Sequence, residues 1–290
     1  EPSGTLTIIV PYAAGGGVDL GSRLLAKYLS EATPVDVVVS NVAGGGGTVG
    51  AADCLKYDAD GSYMLALNPS PTYVSTKDKP LTFDILKDYE FAAIMVQDQR
   101  LFVTSAKNTN FQTVEEAIEY GKANPGKFNI GCSGTGNSAY ATAEEFLEKT
   151  GIEGNVVPFD GSSEAKSAVL GGHIDVAVQS LSDVSSSMNE VTILATGGEE
   201  RFSKTPDVPC MTELGFPMAQ YVTRGYAFKA GTDSAIINYW SDKIGEVCEN
   251  EAFLKEADSL GLPIVYMNHE EAQEDAKTEM ATYQEKFGDK

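Results

Sequence analysis

The sequence predicts an α/β fold in two lobes, each a mainly parallel sheet flanked by helices, with two crossover strands as a hinge. Three observations point there. Strand-like and helix-like patterns alternate along the chain, the order of a parallel, doubly wound sheet. Three glycine-rich stretches each follow a strand and open a helix. Two extended segments, "RLFVTSAKNT" from Arg100 and "GYAFKAGTDS" from Gly225, read as places where the chain crosses between lobes, or else as ordinary edge strands. A length of 290 residues is enough for two such domains. If both crossings are real, lobe I is 1–102 plus 225–290 and lobe II is 103–224, and the linking strands permit closure over a ligand.

Each element has its own reason. Leu6–Val10 is a short apolar run, a buried strand. "VPYAAGGGVDL" then carries it through Pro11 and three glycines into a helix over Asp19–Ser30, with Leu20, Leu24, Leu25, Tyr28 and Leu29 on one face. Val35–Ser40 is a second strand, and "NVAGGGGTVGAADCLK" repeats the strand–glycine–helix design before a third strand at Tyr63–Leu67. In "TVEEAIEYGKANPG", Thr113 and Glu116 have capping-box spacing and Pro125-Gly126 stops the helix. Phe128–Cys132 is a strand that "SGTGNSAY" joins to a helix through Lys149. Val156–Phe159 leads into the turn and helix of "DGSSEAKSAVLGG", and Ile174–Gln179 and Val191–Ala195 are two more strands. Asp233 starts a helix with Ile236, Ile237, Trp240, Ile244 and Val247. Asn268 and Glu271 form a second capping box, opening a last helix.

Bulk composition narrows the function. The net charge of −21 argues against a nucleic-acid partner, which needs a basic face, and against docking on anionic lipid. The apolar runs are too short to span a bilayer. The chain opens at Glu1 without a charged n-region, which fits either a cytoplasmic protein or one whose signal segment has been removed. Cys54, Cys132, Cys210 and Cys248 form no CxxC pair, so a zinc site is not expected. Their spacing demands no disulfide, and buried thiols are the favoured reading.

The glycine loops carry the chemistry. They are Ala13–Asp19, Gly44–Thr48 and Ser133–Ser138. Ligands of parallel sheets bind beyond the carboxyl ends of the strands, where such loops stand. A helix start offers unpaired N–H groups and about half a positive charge, and glycines let successive N–H groups converge on an anion. Two such ends match roughly one carboxylate without an arginine. There is no GxxxxGK[ST], and "AAGGGVD" lacks GxGxxG spacing, so neither a P-loop nor a dinucleotide site is expected. For any single loop, a tight strand–helix turn is the alternative.

Taken together, these stretches resemble a known family. "TIIVPYAAGGGVDLGSRLLAKYL", "NVAGGGGTVGAADCLKYDADGSYMLAL", "FDILKDYEFAAIM", "GCSGTGNSAY", "VVPFDGSSEAKSAVLGGHIDVAV" and "TPDVPCMTELGFP" follow one another as in the extracytoplasmic solute receptors of tripartite tricarboxylate transporters. These are a branch of the type II periplasmic binding proteins. The resemblance covers nearly the whole chain. It implies a two-lobed Venus-flytrap receptor with no catalytic residues, no metal and no cofactor. It also implies a ligand carboxylate held between loops of both lobes by backbone N–H groups, hydroxyls and water. On lobe I those positions are Tyr12, Ala13, Ala14, Gly15, Gly16 and Asp19, with Ser70 beyond the third strand. On lobe II they are Gly134, Thr135, Gly136, Asn137 and Ser138, then Phe159, Asp160 and Gly161, and the segment from Gln179 to Asp183. Implied partners are a small organic acid or amino acid and membrane transporter subunits, with a monomeric receptor outside the cytoplasm, soluble or lipid-anchored. Asn137 and Tyr140 stand where the family often has serine and histidine. Thr223 and Arg224 stand where it often has tryptophan before the returning glycine, and Lys229 replaces a proline. These departures bear on selectivity for the rest of the ligand.

Single residues keep two readings. Asp19 either ties down glycine N–H groups or simply favours the helix start. An acidic Asp160 or Asp183 suits an amino-acid ligand, whereas a plain di- or tricarboxylate prefers donors such as Ser138, Ser162 or Gln179. Arg224 reaches a second carboxylate or faces solvent. His173 and His269 read as surface residues. Against the receptor stand a ligand-sensing module with the same pocket and a hydrolase-type enzyme, though "GCSGTG" lacks GxSxG spacing.

Overall fold

The computed structural model describes residues 4–289; residues 1–3 and 290, the extreme ends of the lobe I range, lie outside it. The chain divides into two compact units, Glu1–Gln97 with Thr223–Lys290, and Asp98–Val222. The sequence reading places its divisions after 102 and after 224. Both units are α/β, each built on one mixed sheet flanked by helices.

The first unit contains β1 (Thr5–Val10), α1 (Gly17–Ala32), β2 (Asp36–Asn41), α2 (Thr48–Cys54), β3 (Tyr63–Leu67), α3 (Ile85–Asp88) and most of β4 (Tyr89–Gln99). The second holds β5 (Leu101–Ser105), α4 (Val114–Ala123), β6 (Phe128–Ser133), α5 (Ser138–Thr150), β7 (Gly154–Phe159), α6 (Ser162–Leu170), β8 (Val176–Gln179), α7 (Leu181–Val184) and β9 (Val191–Thr196). The chain returns along β10 (Tyr221–Lys229) and completes the first unit with α8 (Ser234–Cys248), α9 (Glu251–Ser259), β11 (Ile264–Met267) and α10 (His269–Phe287).

The six-stranded sheet of the first unit runs β11-β4-β10-β3-β1-β2. β1 pairs in parallel with β2 and β3, while β10 is antiparallel to β3 and β11 to β4. β1 is apolar because both of its faces are covered. Leu6, Ile8 and Val10 pack with Leu24, Leu25 and Leu29 of α1 and with Ile237 and Trp240 of α8. Ile9 points the other way, to a core with Ala51 and Cys54 of α2 and Ala272, Ala276 and Met280 of α10.

The five-stranded sheet of the second unit runs β7-β6-β8-β5-β9, with β6 parallel to β7 and β8, and β5 antiparallel to β8 and β9. Its strands alternate between two cores. Phe102 joins Val114, Ala117 and Ile118 of α4 and Phe146 of α5, whereas Leu101 and Val103 join Ala168 and Val169 of α6 and Val184 of α7.

This topology brings distant loops to common edges. In the first unit Val10 lies level with Asn41, so the loops after β1 and β2 leave the sheet side by side. In the second, Ser133 lies level with Phe159, and β8 runs parallel beside them with Ile130 opposite Val176. The stretches after 133, 159 and 179 therefore share the carboxyl edge of one sheet.

Candidate functional site

In the first unit the loop after β1 is held from below and bare on top. Ala13, Ala14 and Gly15 are exposed, while Asp19 beneath them is buried, 2% exposed. Asp19 Oδ2 accepts the Gly15 N–H at 2.9 Å and Arg23 Nε at 3.0 Å. Oδ1 accepts Asn41 Nδ2 at 2.9 Å and pairs with Arg23 Nη2 at 3.0 Å. Burial pushes the Asp19 carboxyl up, but the bonds from Arg23, Gly15 and Asn41 outweigh it and hold its pKa below the usual 3.8. All four lone-pair directions are thus engaged inside the protein, which is the loop-organising role. Asn41 Nδ2 also reaches the Tyr12 carbonyl at 3.1 Å, and the Tyr12 hydroxyl donates to Asn68 Oδ1 at 2.9 Å. The result is a fixed turn leading into α1, whose N-cap, Gly16, brings no side-chain cap. The amides of Gly16, Gly17 and Val18 open that helix.

Ser70 is buried and caps the short turn Pro71–Tyr73, accepting from Thr72 N at 3.3 Å. The second glycine stretch serves packing, since a Cβ on Gly47, at φ +105, would lie 2.7 Å from the Tyr73 hydroxyl and 3.1 Å from that of Tyr12. Only glycine lets this loop close over the two tyrosines.

In the second unit the loop 133–138 is braced from two sides. The Gly134 N–H donates to the Phe159 carbonyl at 2.6 Å, tying it to the neighbouring strand end. Asn137 caps α5 by accepting from Tyr140 N at 3.0 Å and also donates to the Ser133 carbonyl. Asn137 and Tyr140 are therefore joined in one cap. Thr135 stands exposed at the tip.

Arg100, which sequence reading treats only as the start of a crossover, is buried, 7% exposed, and its Nη2 donates to Ser138 Oγ at 2.5 Å. An arginine offers only donors, so the Ser138 oxygen accepts and its own proton points elsewhere. A guanidinium is thereby set against the first residue of α5. The signal available in the sequence was a lone basic residue directly before the apolar run "LFV".

The loops after β7 and β8 join at Asp183. Its Oδ1 accepts the Ser162 hydroxyl at 2.7 Å, and its Oδ2 accepts Ser180 N at 2.9 Å and Ser180 Oγ at 2.6 Å. Lys166 Nζ donates to the Asp183 carbonyl at 2.7 Å. Gln179 is fully buried and its Nε2 donates to the Ser162 carbonyl at 3.3 Å. The Ser162 hydroxyl donor that sequence reading offers to a ligand is thus spent within the unit, as is one of the two Gln179 N–H donors. Asp160 is exposed and its N–H turns to Glu164 Oε2 at 3.2 Å; Gly161, like Gly16, opens its helix, α6, with no side-chain cap.

Other residues fall differently from their sequence reading. Arg224 is buried rather than solvent-facing. His269 is partly buried, with Nδ1 2.6 Å from the Phe91 carbonyl, while His173 is exposed. All four cysteines are buried free thiols. Burial pushes Cys132 up to about 12, Cys54 to about 11 and Cys248 to about 12, so these sulfurs stay protonated and are poor nucleophiles. Among the described residues no group of three or more His, Cys, Asp or Glu could hold a metal ion, and no helix is long and apolar enough to cross a membrane.

A two-unit α/β chain with glycine turns at the carboxyl edges of both sheets has the architecture of a solute-binding protein. The model of the tripartite tricarboxylate transporter family receptor matches residues 22–285, and the chain belongs to that family, whose members are periplasmic solute receptors. It is 29% identical over 296 residues to a UPF0065 protein in the gbd 5' region of Cupriavidus necator, covering 99% of this chain and 88% of that one. A structure described as a periplasmic transporter superposes with a TM-score of 0.91 at 26% identity, over 98% of this chain and 96% of the other. The fold is shared with R. palustris Rpa4515, solved with adipate (TM-score 0.91, 21% identity, 98% and 96% covered). It is shared too with MatC from Rhodopseudomonas palustris, solved with malate (0.87, 20%, 98% and 99%).

Proposed function

We propose that this chain is a receptor, not an enzyme, that captures a small carboxylate outside the cytoplasmic membrane and delivers it to a membrane transporter. The proposed carboxylate-binding groups are the main-chain N–H groups of the Tyr12–Asp19 turn in the first unit and of the 134–138 turn in the second. The polypeptide crossings near Arg100 and Gly225 act as the hinge between lobe I (1–102 plus 225–290) and lobe II (103–224). The observation that carries this reading is the unequal capping of the helices. α4, α8, α9 and α10 each begin with a side-chain cap, from Thr113, Asp233, Asn250 and Asn268; of the three helices that open from candidate loops, α1 and α6 have none and α5 is capped by Asn137. An uncapped helix start keeps its amides and its partial positive charge available to an anion. Arg100 behind Ser138 adds a formal positive charge in a chain whose overall charge is −21. The adipate and malate held by proteins of this fold support a dicarboxylate of four to six carbons.

A thermal-shift and calorimetric screen over dicarboxylates, tricarboxylates, aromatic acids and amino acids tests it. At least one acid should stabilise the protein and be recovered unchanged. Gly16 has φ −83, which any L residue adopts, so Gly16→Val should fold and lose at least 10-fold in affinity. Stabilisation by no acid, or turnover of an ester or phosphate panel, would overturn the reading. Gly134 is a poor place for this test: its φ is +82 and its N–H is bonded to Phe159, so proline there perturbs folding first.

A further inference from the structure

We propose that Gln220 is a positioning residue for the candidate turn of the second unit. It ties the first two turns of α5, and through them residues 134–138, to the returning crossing, so that affinity depends on a side chain outside the turn itself. This deepens the carboxylate-receptor reading and rests on it.

Gln220 stands directly before β10, two residues short of the end of the second unit at Val222. Arg100 stands directly before β5, two residues after that unit begins at Asp98. At this point the two crossings are joined by main chain. The Arg100 N–H donates to the Gln220 carbonyl at 3.0 Å, the Gln220 N–H to the Gly197 carbonyl at 2.8 Å, and the Gly197 N–H to the Arg100 carbonyl at 2.7 Å. The three bonds close a ring of segments that are distant in sequence. Gly197 directly follows β9, and the ring is tight around it: a Cβ there would lie 3.0 Å from Gln220 Cβ and 3.5 Å from Arg100 Cβ. Main-chain groups paired in this way fix the points from which the Arg100 and Gln220 side chains start.

Both side chains run to α5. Arg100 Nη2 meets Ser138 Oγ at 2.5 Å. Gln220 Nε2 donates to Glu145 Oε2 at 2.7 Å, and its Oε1 accepts from the Thr142 hydroxyl at 2.9 Å. A carboxylate only accepts, so the Glu145 contact sets which way the amide faces. Thr142 has one hydroxyl proton, and its other neighbour, the Ser138 carbonyl at 2.8 Å, also only accepts. The proton is therefore shared between the crossing and the first residue of α5. Ser138, Thr142 and Glu145 are spaced i, i+4 and i+7, which is one face of a helix. The crossings thus grip α5 along two turns, starting at the residue that closes the 134–138 turn. The other end of that turn is braced by the Gly134 N–H on the Phe159 carbonyl. A binding turn made of main-chain N–H groups takes its aim from its supports. Of these supports Gln220 is the one to test: Gln220 and Glu145 are only partly buried, so changing them spares the core.

The test uses the full chain in titration calorimetry with succinate, malate, aspartate, citrate and adipate. Gln220→Met keeps the length of the side chain and removes both of its bonds. It should fold and bind each acid that the wild type binds about 5-fold or more weakly. Without any acid present, it should also move the 15N amide signals of Gly134 and Ser138. Gln220→Glu sets a second carboxylate against Glu145 and should weaken binding about 10-fold or more. Adding Glu145→Gln reverses donor and acceptor at the wild-type net charge, and should bring affinity back to within about 2-fold of wild type. Wild-type affinity in a folded Gln220→Met variant overturns the inference and leaves the receptor intact. Should that variant fail to fold, the exchanged pair decides: a double variant that does not fold, or that folds without regaining affinity, overturns the inference as well. Failure of every acid to bind the wild-type chain refutes the receptor and this inference with it.

Discussion

Replacing Asp19 by Asn keeps the shape of the side chain and removes its charge, with consequences for stability that the hydrogen bonds define. Each carboxylate oxygen accepts two donors: Gly15 N and Arg23 Nε on one, Asn41 Nδ2 and Arg23 Nη2 on the other. Whichever way the new amide turns, its NH2 faces two donors. Two bonds to a charged acceptor are lost at a buried position, each worth about 1.5–3 kcal/mol when intact. Arg23 is half exposed and recovers water, so a net loss of about 2–4 kcal/mol follows. At about 2–4 °C per kcal/mol for a chain of this size, the melting transition should fall by about 4–16 °C. The pH dependence has a definite sign. Because the folded pKa of Asp19 lies below 3.8, the folded protein binds that proton more weakly than the unfolded chain. The wild-type advantage is complete above the unfolded value and is lost as pH falls through the folded one. Calorimetric melts of both proteins from pH 7 to pH 3 should show a constant difference that narrows only below about pH 4. A difference under about 0.5 kcal/mol at pH 7, or one that grows on acidification, would refute the loop-organising role.

Two further outcomes follow from the same network logic. Lys229 Nζ donates to the carbonyls of Leu55 at 2.9 Å and Tyr57 at 2.8 Å, just past the end of α2, so Lys229→Met should cost about 1–3 kcal/mol in urea unfolding. Cys54, Cys132 and Cys248 should resist a disulfide reagent at pH 8 in the native protein and react fully in guanidinium, because burial keeps them protonated; rapid native labelling of Cys54 or Cys132 would contradict this.

Local chemistry made much of the fold legible. Thr113 with Glu116 and Asn268 with Glu271 both form the reciprocal capping boxes that their spacing announces. The strand at Tyr63–Leu67 has the bounds its apolar run suggests. α9 was harder to read because only Phe253 and Ala257 of its nine residues are buried, too few to mark a period, although Asn250 caps it. β11 is short and only partly buried, so it carries no alternation signal.

The candidate site was legible as a set of loops, not as a set of bonds. Glycines mark where backbone is bare, and that pattern survives in one dimension. Whether Gln179 offers its nitrogen or its oxygen depends on a carbonyl at Ser162, seventeen positions away, which no local pattern reveals. Arg100, read only as the start of a crossover, and Arg224, read as reaching a second carboxylate or facing solvent, are both buried for a related reason. A charged residue reads as surface until a tertiary partner, such as Ser138 for Arg100, makes burial tolerable.

The most direct measurement is a 15N amide titration of the labelled protein with the tightest-binding acid from the screen. Hydrogen bonding to a carboxylate moves an amide proton and its nitrogen downfield. Gly16 and Gly17 in the first unit and at least one amide within 134–138 in the second should shift in step with binding, while Gly126 and Gly215, in turns away from either loop, should stay in place. Saturable binding that leaves all the loop amides unmoved would contradict the account.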